Sequence, residues 1–354
     1  MMGKTPTVLR PSPPTRRHLL RHIGCAAWAG AAAPWSHAAD LPAVTLSVPG
    51  PGNTVSAPFE LAARLGLDKA AGLTLRLRFV GGGGVAIKDL ETGNADFAAF
   101  GLPAAMVANA DGARLVALAA MDDLPLYTLM LRADLQGQVR SLADLRGRKI
   151  AVHSNSLKTK TTSTQLVELV LRSAGIEPDA VRFLAGGQNW DTQSAVLRSR
   201  AADASMCDEP IGARLEAEGL ASVLYSTGRP ADVGKVPGAG FLRATLIARR
   251  DRVQADPATT ARVVDMALRT LRWMAANPPE AMADALQLPA GTERDAFLLV
   301  RRRFARMFST DGKFSDAQLR QTTVFARASN PENQALQSYE LDSMVVDRWV
   351  GRKP

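Results

Sequence analysis

The sequence predicts an α/β protein built from two similar lobes, because one pattern occurs twice along the chain. The run RFVGGG at residues 78–83 returns as RFLAGG at residues 182–187. Each copy leads through a helix-like stretch to an aspartate, then a proline seven residues later and a glycine nine residues after that, namely Asp96, Pro103 and Gly112, and Asp203, Pro210 and Gly219. Two strand–glycine–helix–strand units favour two α/β lobes with a ligand cleft between them.

The first lobe is predicted to alternate strands and helices. Apolar runs and alternation indicate strands at 44–48, 73–80, 95–100 and 115–120, with helices at 59–65 and 85–92. The strand at 126–132 is predicted to cross to the second lobe. Strands separated by helices favour largely parallel sheets, whose carboxyl-end loops face a ligand crevice.

The second lobe repeats this order and the chain then returns. Strands are predicted at 149–152, 181–184, 202–206 and 223–225, with helices from Leu166 to Gly175 and at 192–200. The run at 238–247 is the expected return crossing, and helical signals follow from Pro257 onward. We therefore assign residues 41–127 and 240–354 to lobe 1, with its C-terminal helices, and residues 128–239 to lobe 2.

The N-terminus carries an export pattern. Arg16-Arg17 precede an apolar run at 25–35 and a small-residue cleavage site at 36–38, so residues 1–38 are predicted to be a twin-arginine signal peptide and the mature protein to begin near Ala39. The protein is then periplasmic. The alternative is a cytosolic protein with a basic disordered arm. A lipid anchor at Cys25 is disfavoured, because that cysteine precedes the apolar run.

Removing the signal peptide changes the composition. Five basic and no acidic residues leave with it, so the formal charge of +9 falls to +4 and nucleic-acid binding is not expected. After residue 40 no run approaches the ~18 apolar residues that span a bilayer. Only His153 and Cys207 remain of their kinds, so we expect no internal disulfide, no His/Cys metal site and no cofactor.

Glycine-rich and polar loops supply the candidate site in lobe 1. Glycines let backbone amides approach a ligand, and a helix amino end adds positive potential, so these loops suit an anion; a plain turn is the alternative for the glycine run. No Gly-Lys-Ser/Thr sequence closes a phosphate-binding loop here. The candidates in this lobe are Asn53, Thr54, Gly82, Gly83, Gly101 and Leu102.

Lobe 2 adds hydroxyls, lysines and carboxylates. The stretch at 154–164 holds many hydroxyl donors and two lysines at a helix start, which suits a sulfonate or carboxylate, although a helix cap uses the same residues. Asp208 and Glu209 can accept hydrogen bonds from a ligand, or bridge the lobes. Trp190 can stack on a ligand or pack in the protein. His153 is not expected to be catalytic without a positioned partner. The candidates in this lobe are Ser154, Asn155, Ser156, Lys158, Thr159, Trp190, Asp208 and Glu209.

Several segments together resemble a known family. They are residues 93–97 ahead of 101–103, residues 142–152, and residues 202–204 ahead of Glu209-Pro210. In order and spacing they are similar to the solute-binding proteins of ABC transporters for nitrate, sulfonate and taurine, a group that includes the NMT1/THI5-like pyrimidine-precursor binders. The resemblance implies a periplasmic binding protein fold of type II, with two crossing strands, that delivers a small molecule to an inner-membrane permease.

The sequence departs from that family in the loop after Val152, which is longer and holds two lysines, and in the acidic residues that follow Cys207. We therefore expect a monomeric binding protein for a small organic anion, a sulfonate or carboxylate, and not an enzyme. A pyrimidine or other heteroaromatic ligand held by Asp208, Glu209 and Trp190 is the alternative. A sensory protein that presents its ligand to a receptor shares every sequence feature, and a periplasmic enzyme is less favoured.

Overall fold

The computed structural model describes residues 41–153, 157 and 161–354. The predicted signal peptide lies outside the described residues, as do five predicted site residues, Ser154, Asn155, Ser156, Lys158 and Thr159. Residues Leu41–Pro354 form one compact unit. Within it are two five-stranded sheets with helices packed on them, which confirms the predicted α/β class.

The first sheet has the strand order β2-β1-β3-β10-β4. Strands β1, β2 and β3 run parallel, as the alternating pattern predicts, and β10 runs antiparallel to β3 and β4. The strands are β1 (Ala43–Pro49), β2 (Thr74–Val80), β3 (Phe97–Phe100), β4 (Leu115–Ala120) and β10 (Thr245–Arg249). The helices between them are α1 (Ala57–Arg64), α2 (Leu67–Ala70), α3 (Gly83–Thr92) and α4 (Leu102–Ala110).

The second sheet repeats this topology in the order β7-β6-β8-β5-β9. Strands β6, β7 and β8 are parallel, and β5 runs antiparallel to β8 and β9. The strands are β5 (Tyr127–Arg132), β6 (Lys149–Val152), β7 (Arg182–Ala185), β8 (Ala204–Asp208) and β9 (Ala221–Ser226). The helices are α5 (Thr162–Ser173), α6 (Trp190–Arg198), α7 (Ile211–Ala217) and α8 (Pro230–Val233), with 3₁₀ turns at Ala133–Leu135, Leu142–Leu145 and Pro178–Ala180.

The chain crosses between the sheets twice, and each crossing leads into an antiparallel strand. It leaves the first sheet after β4 and enters the second at β5, then returns after β9 and α8 to enter the first at β10. Two connecting segments between two α/β lobes confirm the predicted architecture. The exact lobe limits at residues 127/128 and 239/240 stay predictions.

The repeated aspartates have matching structural positions. Asp96 accepts a hydrogen bond from the Thr45 amide at 2.9 Å, and Asp203 accepts one from the Lys149 amide at 2.9 Å. In both lobes the aspartate therefore ties its own strand to the start of the lobe's first parallel strand. The glycines of the repeat, Gly112 and Gly219, have positive φ angles just beyond the ends of α4 and α7. The repeat thus specifies the framework of each lobe.

Helices follow β10 to the end of the chain, which confirms the predicted helical wrap. They are α9 (Arg250–Ala255), α10 (Pro257–Ala276), α11 (Pro279–Ala285), α12 (Thr292–Arg303), α13 (Asp316–Ser329) and α14 (Gln334–Ser338), with a 3₁₀ turn at Leu341–Met344. The two-residue strands β11 (Phe314–Ser315) and β12 (Arg352–Lys353) pair with each other. Helix α10 packs on α1, whereas α12 packs on α7 and α13 on both α4 and α5. The C-terminal helices therefore contact elements of both lobes.

Each sheet has its own apolar core. The larger core is formed by the first sheet, α1, α4 and the C-terminal helices, and the others lie on the two faces of the second sheet. The strands β3 and β4 are buried along their whole length, as expected for strands of a sheet that is covered on both faces. No helix in the described part of the chain is long and apolar enough to cross a membrane.

Candidate functional site

A cavity of about 360 Å³, counting its open mouth, lies where the carboxyl ends of the parallel strands of one sheet face those of the other. Residues from both lobes and from the connecting segments line it: Pro49, Val55, Gly83, Phe100, Gly101, Tyr127, His153, Thr161, Thr162, Ser163, Gln188, Asp208 and Arg243. Its position matches the rule that ligands of open α/β sheets bind beyond the carboxyl ends of the strands.

The topology explains why these residues meet. The parallel strands of each lobe end at this edge, so their following loops carry Gly83, Gly101, His153 and Gln188 to the cavity. The antiparallel strands β5 and β10 begin where their neighbours end, and they bring Tyr127 and Arg243 to the same edge. Residues that line the cavity therefore lie both after the ends of parallel strands and at the starts of antiparallel strands.

Arg243 is the centre of a buried polar network. Its side chain is fully buried, and each of its three nitrogens donates a hydrogen bond. Nε donates to Asp122 at 3.0 Å, Nη1 to Asp208 Oδ1 at 3.1 Å and Nη2 to Thr54 Oγ1 at 2.8 Å. The guanidinium also lies 5.7 Å from the centre of the Tyr127 ring. These bonds use three of the five N–H groups of the guanidinium and hold Arg243 in the cavity wall.

The two carboxylates beside Arg243 differ in their proton affinity. Burial raises the pKa of Asp122 to about 6, against the opposing effect of the Arg243 guanidinium. Burial also acts to raise the pKa of Asp208, but the His153 charge and hydrogen bond, together with Arg243 and Asn53, outweigh it and lower the pKa to about 2. Asp208 is therefore a carboxylate at neutral pH.

Asp208 joins the two lobes. Its Oδ2 atom accepts a hydrogen bond from Asn53 Nδ2 at 2.6 Å, and Asn53 belongs to the loop after β1 in the first lobe. The same oxygen lies 2.9 Å from His153 Nδ1, in the loop after β6. Asn53 is oriented for this contact because its Oδ1 accepts the Val55 amide at 2.8 Å. The closed arrangement of the lobes is thus held partly by one buried carboxylate.

Three polar atoms of the cavity wall are buried without a hydrogen-bond partner in the described structure. They are His153 Nε2, Thr162 Oγ1 and Gln188 Oε1. The Gln188 amide nitrogen is already used, since it donates to the His153 carbonyl at 3.2 Å. An unsatisfied buried polar group costs about 1–3 kcal/mol, so a ligand that bonds to these atoms would regain that free energy.

Two helices begin at the cavity. Gly83 is the first residue of α3, and Thr161 caps the start of α5, where its Oγ1 accepts the Thr164 amide. Thr162 and Ser163 form the first turn of α5 and line the cavity. The first amides of a helix have no partner inside the helix and carry partial positive charge, so both helix starts favour an anion in the cavity.

The lobes touch each other directly beside the cavity, at glycines. A Cβ atom built on Gly101 would overlap Thr162 Oγ1 and lie 3.1 Å from Thr162 Cβ. One built on Gly82 would lie 3.3 Å from Thr161 Cγ2 and 3.4 Å from Gln188 Nε2. The glycines of lobe 1 therefore allow its backbone to approach the polar loop of lobe 2 closely.

The structure brings most of the described sequence candidates to this region. Asn53 and Thr54 belong to the Arg243–Asp208 network, while Gly83, Gly101 and Asp208 line the cavity. Gly82 lies at the contact between the lobes. Leu102 is adjacent but its amide is occupied, because it donates to the Leu242 carbonyl at 3.1 Å.

Two further candidates make other contacts and do not line the cavity. The Trp190 ring lies against the Arg214 guanidinium, 3.9 Å from the ring centre. The Glu209 carboxylate accepts hydrogen bonds from Thr128 Oγ1 at 2.8 Å and from the Ala213 amide at 2.9 Å. In this conformation both residues have structural partners, and their predicted ligand contacts stay predictions.

Sequence reasoning missed Arg243, Asp122 and Tyr127 as parts of the site. The signal was present but easily overlooked: Arg243 interrupts the apolar run at 238–247, and Asp122 directly follows the apolar run that ends at Met121. Lone charges at the ends of buried strands require partners, and these two charges are each other's partners. His153 was considered only for catalysis, whereas the structure places it in the cavity wall.

The described residues offer little for covalent or metal chemistry. Cys207 is fully buried, and burial raises the pKa of its thiol, so it is an unreactive core residue. No group of three or more His, Cys, Asp or Glu side chains in the described ranges is arranged to hold a metal ion. What the cavity offers is a set of hydrogen-bond donors and acceptors, which is suited to binding.

Three solved structures share the architecture at low sequence identity. The alkanesulfonate-binding protein SsuA from Xanthomonas axonopodis, bound to MOPS, has a TM-score of 0.64 at 17% identity, over 87% of this chain and 99% of that one. The nitrate-binding protein NrtA from Synechocystis has a TM-score of 0.66 at 14% identity, over 87% of each chain. A Candida albicans protein described as having the generic periplasmic binding protein fold has a TM-score of 0.67 at 15% identity, over 89% of this chain and 98% of that one.

These likenesses confirm the periplasmic binding protein fold. No curated protein sequence matches the chain significantly. The family model described as NMT1/THI5 like matches residues 53–281, which is more than half of the 354 residues. The protein therefore belongs to the NMT1/THI5-like family.

Proposed function

We propose that the protein is the substrate-binding component of an ABC-type importer and binds a small organic anion, a sulfonate or a carboxylate. The observation that carries the proposal is the interlobe cavity, whose wall holds the starts of two helices and the unpartnered hydroxyl of Thr162; the unpartnered Gln188 Oε1 is an acceptor and would bond to a donor group of the ligand.

The charge pattern supports an anion held by neutral donors. Asp122 and Asp208 balance the charge of Arg243, so the acid group of the ligand is bound mainly by helix-start amides and by the hydroxyls of Thr162 and Ser163. Apolar atoms of Val55, Phe100 and Tyr127 are available for a small organic group. Lys158, which lies outside the described residues, stays our predicted charged contact.

A heteroaromatic ligand is less well supported. It was expected to depend on Asp208, Glu209 and Trp190, of which only Asp208 lines the cavity. An enzymatic role with a cysteine nucleophile is not supported, since the Cys207 thiol is buried in the core. Binding without turnover is therefore our proposal.

The comparison with solved structures also supports a periplasmic location. The nitrate-binding structural neighbour is periplasmic by its description, and export of this chain is what its first 38 residues predict. We propose a periplasmic monomer that delivers its ligand to an inner-membrane permease. A sensory receptor as the partner is the alternative, which pull-down of membrane proteins with ligand-loaded protein would distinguish.

Calorimetric titration with ethanesulfonate, benzenesulfonate, taurine, nitrate and benzoate tests the ligand class. We expect at least one of these anions to bind, and a ligand at a hundred times its Kd to stabilise the protein by about 2.7 kcal/mol in thermal unfolding. Stabilisation by neutral or cationic compounds alone would exclude the anion proposal. Turnover of a bound compound would exclude a pure binding protein.

Two threonines give a matched pair of variants. Thr162 and Thr245 are both buried with unpartnered hydroxyls, but only Thr162 lines the cavity. Thr162→Val removes a ligand hydrogen bond and should weaken anion binding about fivefold to tenfold, since one hydrogen bond contributes roughly 1 kcal/mol. Thr245→Val should leave binding unchanged. Equal effects of the two variants would place the ligand elsewhere.

A further inference from the structure

We infer that His153 binds the anionic group of the ligand through Nε2, and that binding is coupled to the uptake of one proton from solvent onto that nitrogen. The inference rests on the proposed function, because it names a residue and a proton that take part in anion binding. It adds a role for the single histidine downstream of the predicted signal peptide, which the family-level comparison does not provide.

The geometry defines the protonation of one ring nitrogen. Nδ1 of His153 lies 2.9 Å from Asp208 Oδ2 and therefore carries a proton that it donates to the carboxylate. The ring is held in place by burial, with only 3% of the residue exposed. Nε2 is consequently the ring atom that can accept a further proton; it has no hydrogen-bond partner among the described residues, and His153 lines the cavity.

The charge of the ligand decides which state of Nε2 is stable. In a neutral imidazole with its proton on Nδ1, Nε2 is a hydrogen-bond acceptor and presents a lone pair to the cavity. An anion also presents only acceptors, so the two would repel. With a proton on Nε2 the ring becomes a cation that donates a charge-assisted hydrogen bond to the anion and keeps its bond to Asp208.

The surrounding charges favour the same change. Asp208 contacts the ring directly, and Arg243 and Asp122 follow behind it in the network, while Tyr127 lines the cavity from β5. One guanidinium and two carboxylates carry a formal charge of −1 when both acids are ionised. A bound anion would bring this sum to −2, and a proton on His153 returns it to −1.

The coupling has a definite direction with pH. The anion stabilises protonated His153, so affinity is highest when the free protein is already protonated at Nε2. As pH rises, the apparent Kd increases by up to about tenfold per pH unit until the complex itself loses the proton. Anion capture is therefore tighter in acidic surroundings.

Calorimetry with a permanently ionised ligand measures the proton directly. Ethanesulfonate, benzenesulfonate and nitrate stay ionised between about pH 5.5 and about pH 8.5, where histidine changes charge, so any proton taken up binds to the protein. Titration of the unmodified protein in phosphate and in Tris at the same pH separates the heat of buffer ionisation. We expect an uptake approaching one proton per bound anion.

Two variants assign the proton. His153→Gln keeps a polar side chain but cannot titrate, and should bind with no proton uptake and with a Kd that no longer rises with pH. Thr162→Val should bind more weakly at every pH while keeping the proton uptake. Asp122, whose pKa burial raises to about 6, remains in both variants and accounts for any pH dependence that they share.

The outcomes separate the two proposals. If no sulfonate or carboxylate of the full screen, benzoate included, binds the unmodified protein, the proposed function fails. If an anion binds the unmodified protein with no proton uptake and with a Kd that stays constant between about pH 5.5 and about pH 8.5, the coupling to His153 is excluded and the proposed function stands. The same conclusion follows if uptake persists unchanged in His153→Gln. Because the two-buffer measurement needs no variant, misfolding of His153→Gln would not prevent the test.

Discussion

Replacing Gly101 with alanine should weaken ligand binding by preventing the lobes from closing, with little effect on the fold. Gly101 precedes α4 in lobe 1 and has a φ angle of −66°, which alanine also adopts. The added Cβ would overlap Thr162 Oγ1 of lobe 2 and would lie 3.3 Å from the Arg243 carbonyl oxygen. The overlap with Thr162 therefore occurs only where the closed lobes meet, whereas the 3.3 Å contact with Arg243 lies within lobe 1.

The size of the effect follows from the crowding. Forcing an extra methyl group into a packed contact costs about 1–3 kcal/mol. This cost falls on the closed, ligand-binding conformation, because an opened cleft relieves the overlap. The apparent Kd should rise by roughly 5-fold to 150-fold, whereas the free energy of unfolding should change by less than about 0.5 kcal/mol.

Titration calorimetry with the tightest anion of the screen gives the Kd, and urea denaturation gives the stability. Gly234→Ala is the matched control, since Gly234 has a φ angle of −70° and a Cβ there would meet open space. Thr162→Ala in combination with Gly101→Ala removes the overlapping oxygen and should recover part of the lost affinity, measured as a double-mutant coupling. Unchanged affinity in Gly101→Ala would refute closure at this contact.

Three further predictions concern the buried network and the thiol. Arg243→Met leaves two buried carboxylates without their cation and should lower the free energy of unfolding by about 3–5 kcal/mol, measured in urea, whereas Arg262→Met at an exposed site should change it by less than about 0.5 kcal/mol. The pKa of Asp208 is lowered to about 2, so its carboxylate stabilises the protein above its ordinary pKa near 3.8, and that contribution is lost as pH falls towards 2. The cost of Asp208→Asn should therefore shrink between about pH 5 and about pH 3. Cys207 should resist alkylation by iodoacetamide in the native protein and react after denaturation in urea, as mass spectrometry would show.

Each of these predictions has a contradicting result. A loss below about 1 kcal/mol in Arg243→Met would mean that the network does not hold buried charges. A pH-independent cost of Asp208→Asn would show that the carboxylate has an ordinary pKa. Rapid labelling of native Cys207 would place the thiol within reach of solvent and reopen an enzymatic role.

The fold was largely predictable because its signals are local and repeated. Strand periods and glycines beyond helix ends are local signals, and the aspartates Asp96 and Asp203 recur at matching positions, where they accept hydrogen bonds from strand amides 51 and 54 residues away. The rule that ligands bind beyond the strand ends then indicated most of the loops that line the cavity. The same rule did not indicate Tyr127 and Arg243, because it concerns the ends of parallel strands. These two residues lie at the starts of antiparallel strands, at the edge of the sheets where the cavity lies.

The site chemistry was less predictable because it depends on long-range pairing. In the sequence Asp208 and Glu209 are adjacent acids, and nothing local indicates which of the two side chains lines the cavity. In the structure one carboxylate contacts His153, Asn53 and Arg243, while Glu209 contacts Thr128 on a neighbouring strand. Partners that lie 35 to 155 residues apart along the chain leave no pattern in a local window.

The sequence by itself determined that two similar α/β lobes form and that their strand-end loops face each other, since periodicity, turn residues and the doubled pattern act over a few residues. Only the tertiary structure decided which polar atoms have hydrogen-bond partners within the protein and which do not. Arg243, the most obvious partner for an anion, is paired with Asp122 and Asp208, whereas His153 Nε2 and Thr162 Oγ1 are left without partners. The reason is that burial makes every polar group seek a partner, and distance in space, not position in the chain, decides which groups find one.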